Sequence, residues 1–364
     1  MLKFICLYLL AFNIHASTEK LMKDFYKSYF DLMNINQSRT LDQTNKEIYS
    51  KALEKFISHK KMSPEIKDSP TLEINYNQLI NYLEKINQNI KDKNFDIAKK
   101  QINNISAYCL ACHLQVKESG HFIDLKNAKE FKNLYDYANY LYLTRHFEQA
   151  KTTYENAIKI TIEENPNTII NNIEIISSLR KILSIEVRTH GNIQSSIIFL
   201  DKYATKYQKI FAPNLLKTIN KWESELKLIL KNLDNQNKIT TEDYINNILS
   251  PELNKNPDEQ NEMVMLFGTG IIIRELLFAP NNKNLSMLFY YLAKSELNLE
   301  QNYFKSNAPQ YFSLCIKKNT NPKYVEKCYI ELENYTRQFF NANNEEVPKI
   351  DREALLKLNL DFYE

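Results

Sequence analysis

The sequence predicts an all-α protein, and two observations lead to this prediction. The 364 residues include only four glycines and ten prolines, too few for many strands joined by tight turns. Apolar residues recur every three or four positions along most of the chain, which is the period of an amphipathic helix. The length predicts two or three domains.

Residues 1–16 have the pattern of a secretory signal peptide. Lys3 supplies the positive charge near the start, residues 4–12 form a short apolar stretch, and Ala16 precedes the expected cleavage before Ser17. The apolar stretch is too short to span a bilayer. We therefore expect a protein that is periplasmic or otherwise exported, with no membrane span after cleavage.

Four periodic segments in residues 17–122 predict a four-helix bundle. The first helix is expected at about residues 18–35, and the second begins after Thr44-x-x-Glu47, which has the pattern of a capping box. Short connections favour an up-down-up-down arrangement. The apolar positions of the four helices are Met22, Phe25, Tyr29 and Met33; Tyr49, Ala52 and Phe56; Leu72, Tyr76, Leu79, Leu83, Ile86 and Ile90; and Ala98, Ile102, Ile105, Cys109, Cys112 and Val116.

The fourth helix carries the pentapeptide Cys109-Leu110-Ala111-Cys112-His113, which has the pattern of a c-type haem attachment site. On a helix the two thiols share one face, and the imidazole lies one position further round. Cys109 and Cys112 can then form thioethers to haem, while His113 binds the iron as the proximal ligand. A redox dithiol would need a thioredoxin-like βαβ setting, and a zinc site would need a second pair of ligands nearby. One motif of this kind predicts one covalent haem c.

A helical bundle with Cys-x-x-Cys-His near the end of its last helix resembles the class II cytochromes c, the cytochrome c-prime group. Lys117, four residues after His113, matches the basic residue typical of that position, whereas Val116 replaces the usual aromatic residue. The resemblance covers the predicted haem domain at residues 17–122. It implies electron transfer if the iron has six ligands, or binding of small gases if the distal position is open.

The expected bundle also suggests a sixth iron ligand. In an up-down bundle the end of the fourth helix lies beside the start of the first, so Met22 should share a layer with His113. Met22 is therefore the first candidate for the distal ligand. The end of the second helix reaches the same end of the bundle, which makes His59 and Met62 lesser candidates. An iron without a second protein ligand is the remaining alternative.

Residues 126–235 resemble tetratricopeptide (TPR) repeats, with small residues where paired helices cross and large residues between them. A helical domain without true repeats is the alternative. Stacks of such hairpins usually present a concave surface that binds proteins or peptides. The matching positions within residues 126–235 are Ala138, Leu141, Phe147, Ala150, Tyr154 and Ala157 in the first copy, and Ser184, Val187, Gly191, Ile193, Ser196 and Leu200 in a weaker second. A third candidate, outside this range, has Leu292, Ala293, Ala308, Phe312 and Cys315.

Residues 236–364 are expected to form a C-terminal helical region with a further TPR-like hairpin. Residues 235–241 and 251–261 have the composition of a linker or an irregular connection. The apolar stretch at residues 263–278 is interpreted as a buried helix, because it contains Arg274 and Glu275.

Cys315 and Cys328 are symmetric about Asn321-Pro322, a turn signal between two periodic segments. Residues equidistant from the turn of an antiparallel hairpin face each other. We therefore expect a disulfide, which an oxidising compartment would allow; two ordinary buried thiols are the alternative.

Other features narrow the function. The formal net charge of +3 gives no indication of nucleic-acid binding, and no nucleophile elbow, phosphate-binding glycine loop or His-Glu-x-x-His helix is present. His121, His146 and His190 lack metal-ligand spacing and are expected to be ordinary surface or loop residues. The sequence thus predicts a non-enzymatic, exported mono-haem cytochrome for single-electron transfer, whose TPR-like region docks a protein partner such as a redox protein. The alternative is an envelope scaffold or gas-sensing protein in which haem is structural or sensory.

Overall fold

The computed structural model describes residues 20–36, 38–59, 62, 64–115, 126–165, 169–170, 173–234, 239–279, 282–299, 303 and 306–342. Over these ranges the chain is helical and contains no β-strand; Ile170 and Phe211 form an isolated β-bridge. The all-α class predicted from the sequence is confirmed. The expected signal peptide at residues 1–16 lies outside the described residues.

The chain divides into two compact units, Met1–Ala150 and Lys151–Glu364. The predicted domain boundaries at residues 17–122, 126–235 and 236–364 stay predictions. The helices of the first unit are α1 (residues 20–36), α2 (Lys46–Ser58), α3 (Pro64–Lys67), α4 (Pro70–Lys91), α5 (Phe95–Asn103), α6 (Ile105–His113) and α7 (Leu134–Leu143), followed by the first turn of α8 (Phe147–Glu164).

The start of α2 differs from the predicted capping box. Asn45 occupies the N-cap position and makes no side-chain capping bond. The Asp42 carboxylate instead accepts hydrogen bonds from the backbone N–H groups of Thr44 (2.9 Å) and Asn45 (3.0 Å). An Asp-based turn has therefore replaced the expected Thr44 cap. At α4 the N-cap is Ser69, whose hydroxyl accepts from Leu72 N, with proline at the first helical position.

The predicted fourth helix is interrupted. It consists of α5 and α6, separated at Asn104, whose backbone has φ −96° and ψ 0°. Two consecutive asparagines, Asn103 and Asn104, stand at this point, and asparagine is a weak helix former. The Asn103 side-chain oxygen also accepts a hydrogen bond from the Asn36 amide at 2.8 Å. The haem motif therefore lies on a separate nine-residue helix, α6.

One apolar core holds the first unit together. It contains buried side chains from α1, α2, α3, α4, α5 and α6, together with Leu143 of α7. Leu83, Ile86 and Ile90 of the predicted stripe on α4 are fully buried, and burying each such side chain contributes roughly 1.5–3 kcal/mol. The up-down-up-down topology stays a prediction.

The second unit is built from helices that pack on their neighbours in sequence, as α10 does on α11, α14 on α15, α15 on α16 and α16 on α17. Its α-helices after α8 are α9 (Ile173–Leu183), α10 (Ile193–Tyr207), α11 (Pro213–Asp234), α12 (Thr241–Tyr244), α13 (Ser250–Leu253), α14 (Glu262–Phe278), α15 (Leu285–Leu299), α16 (Ala308–Lys318) and α17 (Pro322–Ala342). Two π-helices, Ser184–His190 and Ile245–Leu249, continue α9 and α12.

Of the two alternatives for residues 251–261, a linker or an irregular connection, the structure shows the second, because residues 254–261 are irregular apart from the short 3-10 turn Pro257–Glu259. The chain is helical from Thr241 to Leu253, and the Glu252 carboxylate accepts a hydrogen bond from Asn261 N at 2.6 Å. Glu252 and Gln260 are both buried. The polar composition that suggested a linker therefore belongs to a packed connection. Of the other predicted linker, residues 235–238 lie outside the described residues.

The apolar stretch at residues 263–278 forms α14, which is buried on nearly all sides, as predicted. The helices that the structure describes include none with both the length and the apolar character needed to span a bilayer. In the hairpin of α16 and α17, the sulfur atoms of Cys315 and Cys328 are bonded, and their Cα atoms are 6.3 Å apart.

Gly270 allows α14 to lie against the π-helix Ser184–His190. A Cβ at this position would stand 2.2 Å from the Arg188 carbonyl oxygen, which also accepts a hydrogen bond from Arg274 Nη1 at 2.9 Å. The Arg188 guanidinium forms a fully buried ion pair with Glu296 at 2.7 Å. The Arg188 backbone therefore packs closely against α14 at Gly270, while the Arg188 side chain forms a buried ion pair with Glu296.

Gly270→Ala is expected to destabilise the protein by about 2 kcal/mol, because the new methyl group must displace the Arg188 backbone. Gly268→Ala is the matched control on the same helix, where a Cβ would meet the flexible Leu249 side chain at 3.1 Å. Denaturant unfolding followed by the fluorescence of Trp222, the one tryptophan of the chain and buried in the second unit, measures both. Equal unfolding midpoints for the two variants would contradict the close approach.

Glu225 of α11 is a buried carboxyl group near the start of α14. Its Oε2 atom accepts a hydrogen bond from Met263 N at 2.8 Å. Burial raises its pKa to about 7, and the charges of Glu262 and Glu252 act in the same direction; the Met263 N–H and Lys221 oppose them. The folded protein therefore holds a proton on Glu225 over a pH range in which the unfolded chain does not.

The contribution of Glu225 to the free energy of unfolding is expected to fall as pH rises from about 4.5 to 7, because in this pH range the folded state binds more protons than the unfolded chain. Glu225→Gln should remove that part of the pH dependence, up to about 3 kcal/mol. Denaturant unfolding at several pH values, with the exposed Glu259→Gln as the control, measures it. The prediction fails if Glu225→Gln and Glu259→Gln show the same pH profile.

Candidate functional site

The first unit contains a cavity whose empty volume, including space that is open to solvent, is about 490 Å³. Its wall comes from α1, α2, α3, α4 and α6, and it includes Cys109, Cys112, His113 and Met22. Most of the remaining wall is aromatic. The aromatic residues are Phe25, Tyr26, Tyr29, Phe56, Tyr76 and Tyr108.

Cys109 and Cys112 are free, half-buried thiols on α6, and both face the cavity. Burial raises the pKa of Cys109 to about 12, and the neighbouring Cys112 adds to this effect. Burial raises the pKa of Cys112 to about 11, against the opposing charge of Arg145. Redox dithiols have lowered pKa values, so this environment does not favour thiol–disulfide exchange.

His113, the last residue of α6, is 9% exposed. Its Nδ1 atom lies 2.8 Å from the backbone oxygen of Leu143. Because a carbonyl oxygen can only accept, Nδ1 carries the proton and Nε2 keeps its lone pair. Burial lowers the pKa of His113 to about 3, and the charge of Arg145 also lowers it, whereas the bond to Leu143 raises it. The imidazole is thus neutral, which is the form that binds metals.

The Leu143 oxygen is available because of the way α7 ends. The turn after α7 has the two hydrogen bonds of a Schellman motif, and Arg145 adopts the left-handed conformation, with φ 65°. These bonds satisfy the carbonyls before Leu143 and leave that of Leu143 without a backbone donor. The backbone donor–acceptor pairs are Thr144–Tyr140, Arg145–Tyr142 and His146–Leu141.

Tyr26 of α1 completes the surroundings of His113. Its hydroxyl donates a hydrogen bond to the Leu143 oxygen. The same hydroxyl lies 3.1 Å from Nδ1 and 3.4 Å from Nε2 of His113, and the two ring centroids are 5.7 Å apart. Burial raises the pKa of Tyr26 well above its usual value. The phenol therefore remains protonated and can donate.

The candidates for the distal ligand occupy different places. Met22 is half-buried and lines the same cavity as His113. His59 and Met62 are not among the described residues of the cavity wall. The Nδ1 atom of His59 lies 4.0 Å from the Asp24 carboxylate, and Met62 packs against the apolar core. Whether Met22 binds iron stays a prediction.

Tyr76, one of the wall residues, has a buried hydroxyl. Its side chain is buried, and its hydroxyl has no hydrogen-bond partner among the described residues. Burial raises the pKa of Tyr76 to about 12. A buried hydroxyl without a partner costs free energy unless a bound group accepts from it. The surface that the described residues expose to the cavity is apolar, so the cavity suits a largely apolar molecule.

Sequence reasoning missed Tyr26 and Leu143. Tyr26 lies one helical turn after Met22, so the two residues share a helix face, and this spacing could have indicated that Tyr26 also lies near His113. His146 lies in a loop, as expected, but is buried, and its Nδ1 atom is 2.9 Å from the Thr144 hydroxyl. His190 lies in a π-helix and not in a loop. Val116, Lys117 and His121 lie outside the described residues.

Comparisons with protein-family models, curated proteins and solved structures gave no match for this chain.

Proposed function

We propose that this chain is an exported mono-haem cytochrome of the c type, resembling the class II group, that carries single electrons. Cys109 and Cys112 hold the haem through thioethers, and His113 is the proximal iron ligand. The observation that carries the proposal is the Cys-x-x-Cys-His motif on a helix that faces an aromatic cavity, with the Nδ1 proton of His113 held by Leu143.

The residues present fit such a group. Haem is a flat, largely apolar ring with two carboxylates, and the cavity offers six aromatic side chains and an apolar inner surface. The two thiols have no disulfide partner among the described residues and are therefore available for thioethers. The neutral imidazole presents a lone pair on Nε2.

When bound, haem supplies an iron that accepts and releases one electron. The residues of this chain attach it, orient it and keep water away. Cys109 and Cys112 fix it covalently, so it is not lost between partners. The Leu143 carbonyl holds the ring of His113 in one tautomer and one orientation, which is the usual role of a group that bonds the second nitrogen of a metal-bound histidine. Phe25, Phe56 and Tyr76 exclude solvent from the wall.

The TPR-like helices provide the partner-binding surface in this proposal. Support comes from the pairwise packing of sequence neighbours in the second unit and from the burial of the residues that match the consensus, such as Ala138, Tyr154 and Leu200. The partner is a protein, and for an electron carrier a redox protein is expected. Export is supported by the motif at residues 1–16 and by the Cys315–Cys328 bond, since disulfides persist in oxidising compartments.

Cys109→Ala/Cys112→Ala is expected to abolish covalent haem attachment, because no other free thiol faces the cavity among the described residues. The measurement is peroxidase staining of a denaturing gel after expression with the c-type maturation machinery. Cys315→Ala/Cys328→Ala is the matched control and should stain like the unmodified protein. Covalent haem in the first double variant would disprove the proposal.

Met22→Ala is expected to convert a low-spin spectrum to a high-spin one and to lower the reduction potential, since a thioether ligand favours ferrous iron. Absorption spectra and a potentiometric titration measure both effects. Met33→Ala is the control, because Met33 lies on the same helix and packs on the core without lining the cavity. If both variants keep the original spectrum, Met22 is not the ligand.

A second function is suggested by the Tyr76 hydroxyl, which is buried without a described partner on a residue of the cavity wall. A hydrogen-bond donor that can reach a haem pocket stabilises a bound diatomic gas, and such donors help to decide between gas binding and electron transfer. In that case the haem is a sensor, and the TPR-like region passes the signal to a partner. A high-spin spectrum of the unmodified protein that shifts with carbon monoxide would support this function over electron transfer.

A further inference from the structure

The Tyr26 hydroxyl has two acceptors within reach and one proton to donate. One acceptor is the Leu143 oxygen, and the other is Nε2 of His113 at 3.4 Å. Nδ1 of His113 is not an acceptor, because its proton is directed at Leu143. A metal on Nε2 would take up that lone pair and leave Leu143 as the acceptor for Tyr26.

We propose that Tyr26 is a positioning residue for His113. Its hydroxyl and the His113 Nδ1–H group both donate to the Leu143 carbonyl oxygen, and the sharing of this acceptor raises the reduction potential of the bound haem. This inference rests on the proposed function. It concerns how strongly the proximal ligand donates to iron and not whether haem is attached.

The sign of the effect follows from the shared acceptor. A hydrogen bond from Nδ1–H to a carbonyl makes the imidazole more basic and a stronger donor to iron. Stronger donation stabilises ferric iron and lowers the reduction potential. When Tyr26 also donates to the Leu143 oxygen, that oxygen has less electron density to offer to Nδ1–H. The imidazole is then less basic, and the ferrous state gains relative to the ferric state.

Burial strengthens this effect. Tyr26 is 5% exposed, His113 is 9% exposed, and Leu143 is 5% exposed, so bulk water does not compete for the shared oxygen. Hydrogen bonds are electrostatically stronger in such surroundings than in water. One phenol oxygen can therefore change the proximal ligand measurably.

The test is a potentiometric titration of the full-length holoprotein carrying Tyr26→Phe, which removes the hydroxyl and keeps the ring. We expect the midpoint potential to fall by the equivalent of roughly tenfold in the ferric–ferrous equilibrium, about 59 mV for one electron. Tyr49→Phe is the matched control: Tyr49 is a buried tyrosine of the same unit, its hydroxyl donates to the Arg39 oxygen at 2.8 Å, and it is not among the described residues of the cavity wall. Its potential should stay that of the unmodified protein.

An unchanged or raised potential in Tyr26→Phe, or an equal fall in Tyr49→Phe, would overturn the inference. A second measurement covers a Tyr26→Phe protein that does not mature: in reduced, 15N-histidine-labelled unmodified protein, the Nδ1 proton of the haem-bound histidine should show a nuclear Overhauser effect to the Tyr26 ring. Absence of that contact would overturn the inference, and its presence would support it. Failure of the proposed function is distinct, since the unmodified protein itself would then carry no covalent haem.

Discussion

The hydrogen bond between His113 Nδ1 and the Leu143 carbonyl is the interaction on which the candidate site depends. It joins the end of α6 to the end of α7, two helix C-termini whose last carbonyls lack helical partners. The Schellman turn around Arg145 satisfies the carbonyls before Leu143 and leaves that of Leu143 for a side chain. A carbonyl at this end of a helix also carries a partial negative charge, which makes it a good acceptor for an imidazole N–H.

Because of this hydrogen bond, the candidate site includes residues beyond the predicted end of the haem domain. The predicted haem domain stops at residue 122, yet the atom that fixes the tautomer of His113 belongs to residue 143. The compact first unit extends to Ala150 and therefore contains both partners. The break at Asn104 has a related consequence. It separates α6 from α5, so the motif helix can take its direction from contacts with α4 and α7 and not from a long continuous helix.

The sequence was sufficient for the helical class, for the core stripe of α4 and for the placement of Cys109 and Cys112 on one face of a helix. Each follows from a periodic pattern of side chains. Tyr26 with Leu143 could not be predicted in this way, because the acceptor is a backbone atom thirty residues from His113 and has no side-chain signature. The π-helix around Arg188 could not be predicted either. Its backbone lies against Gly270 of α14, which is distant in the sequence. Local patterns predict elements, whereas contacts between backbone atoms of distant elements need the fold.

Under the proposed function, the electrostatic environment of the site has two opposing effects on the reduction potential of the haem iron. Burial and the charge of Arg145 both lower the pKa of His113, so they disfavour added positive charge, and the same two effects would disfavour ferric relative to ferrous iron. The Leu143 carbonyl acts oppositely, because it strengthens the donor ability of the imidazole. Burial and Arg145 are fixed by the packing of whole helices and are difficult to vary one residue at a time. Among the described residues, the hydrogen bonds to the Leu143 oxygen involve only the Tyr26 hydroxyl and His113 Nδ1. A single substitution at Tyr26 can therefore change the reduction potential without affecting the covalent attachment of the haem.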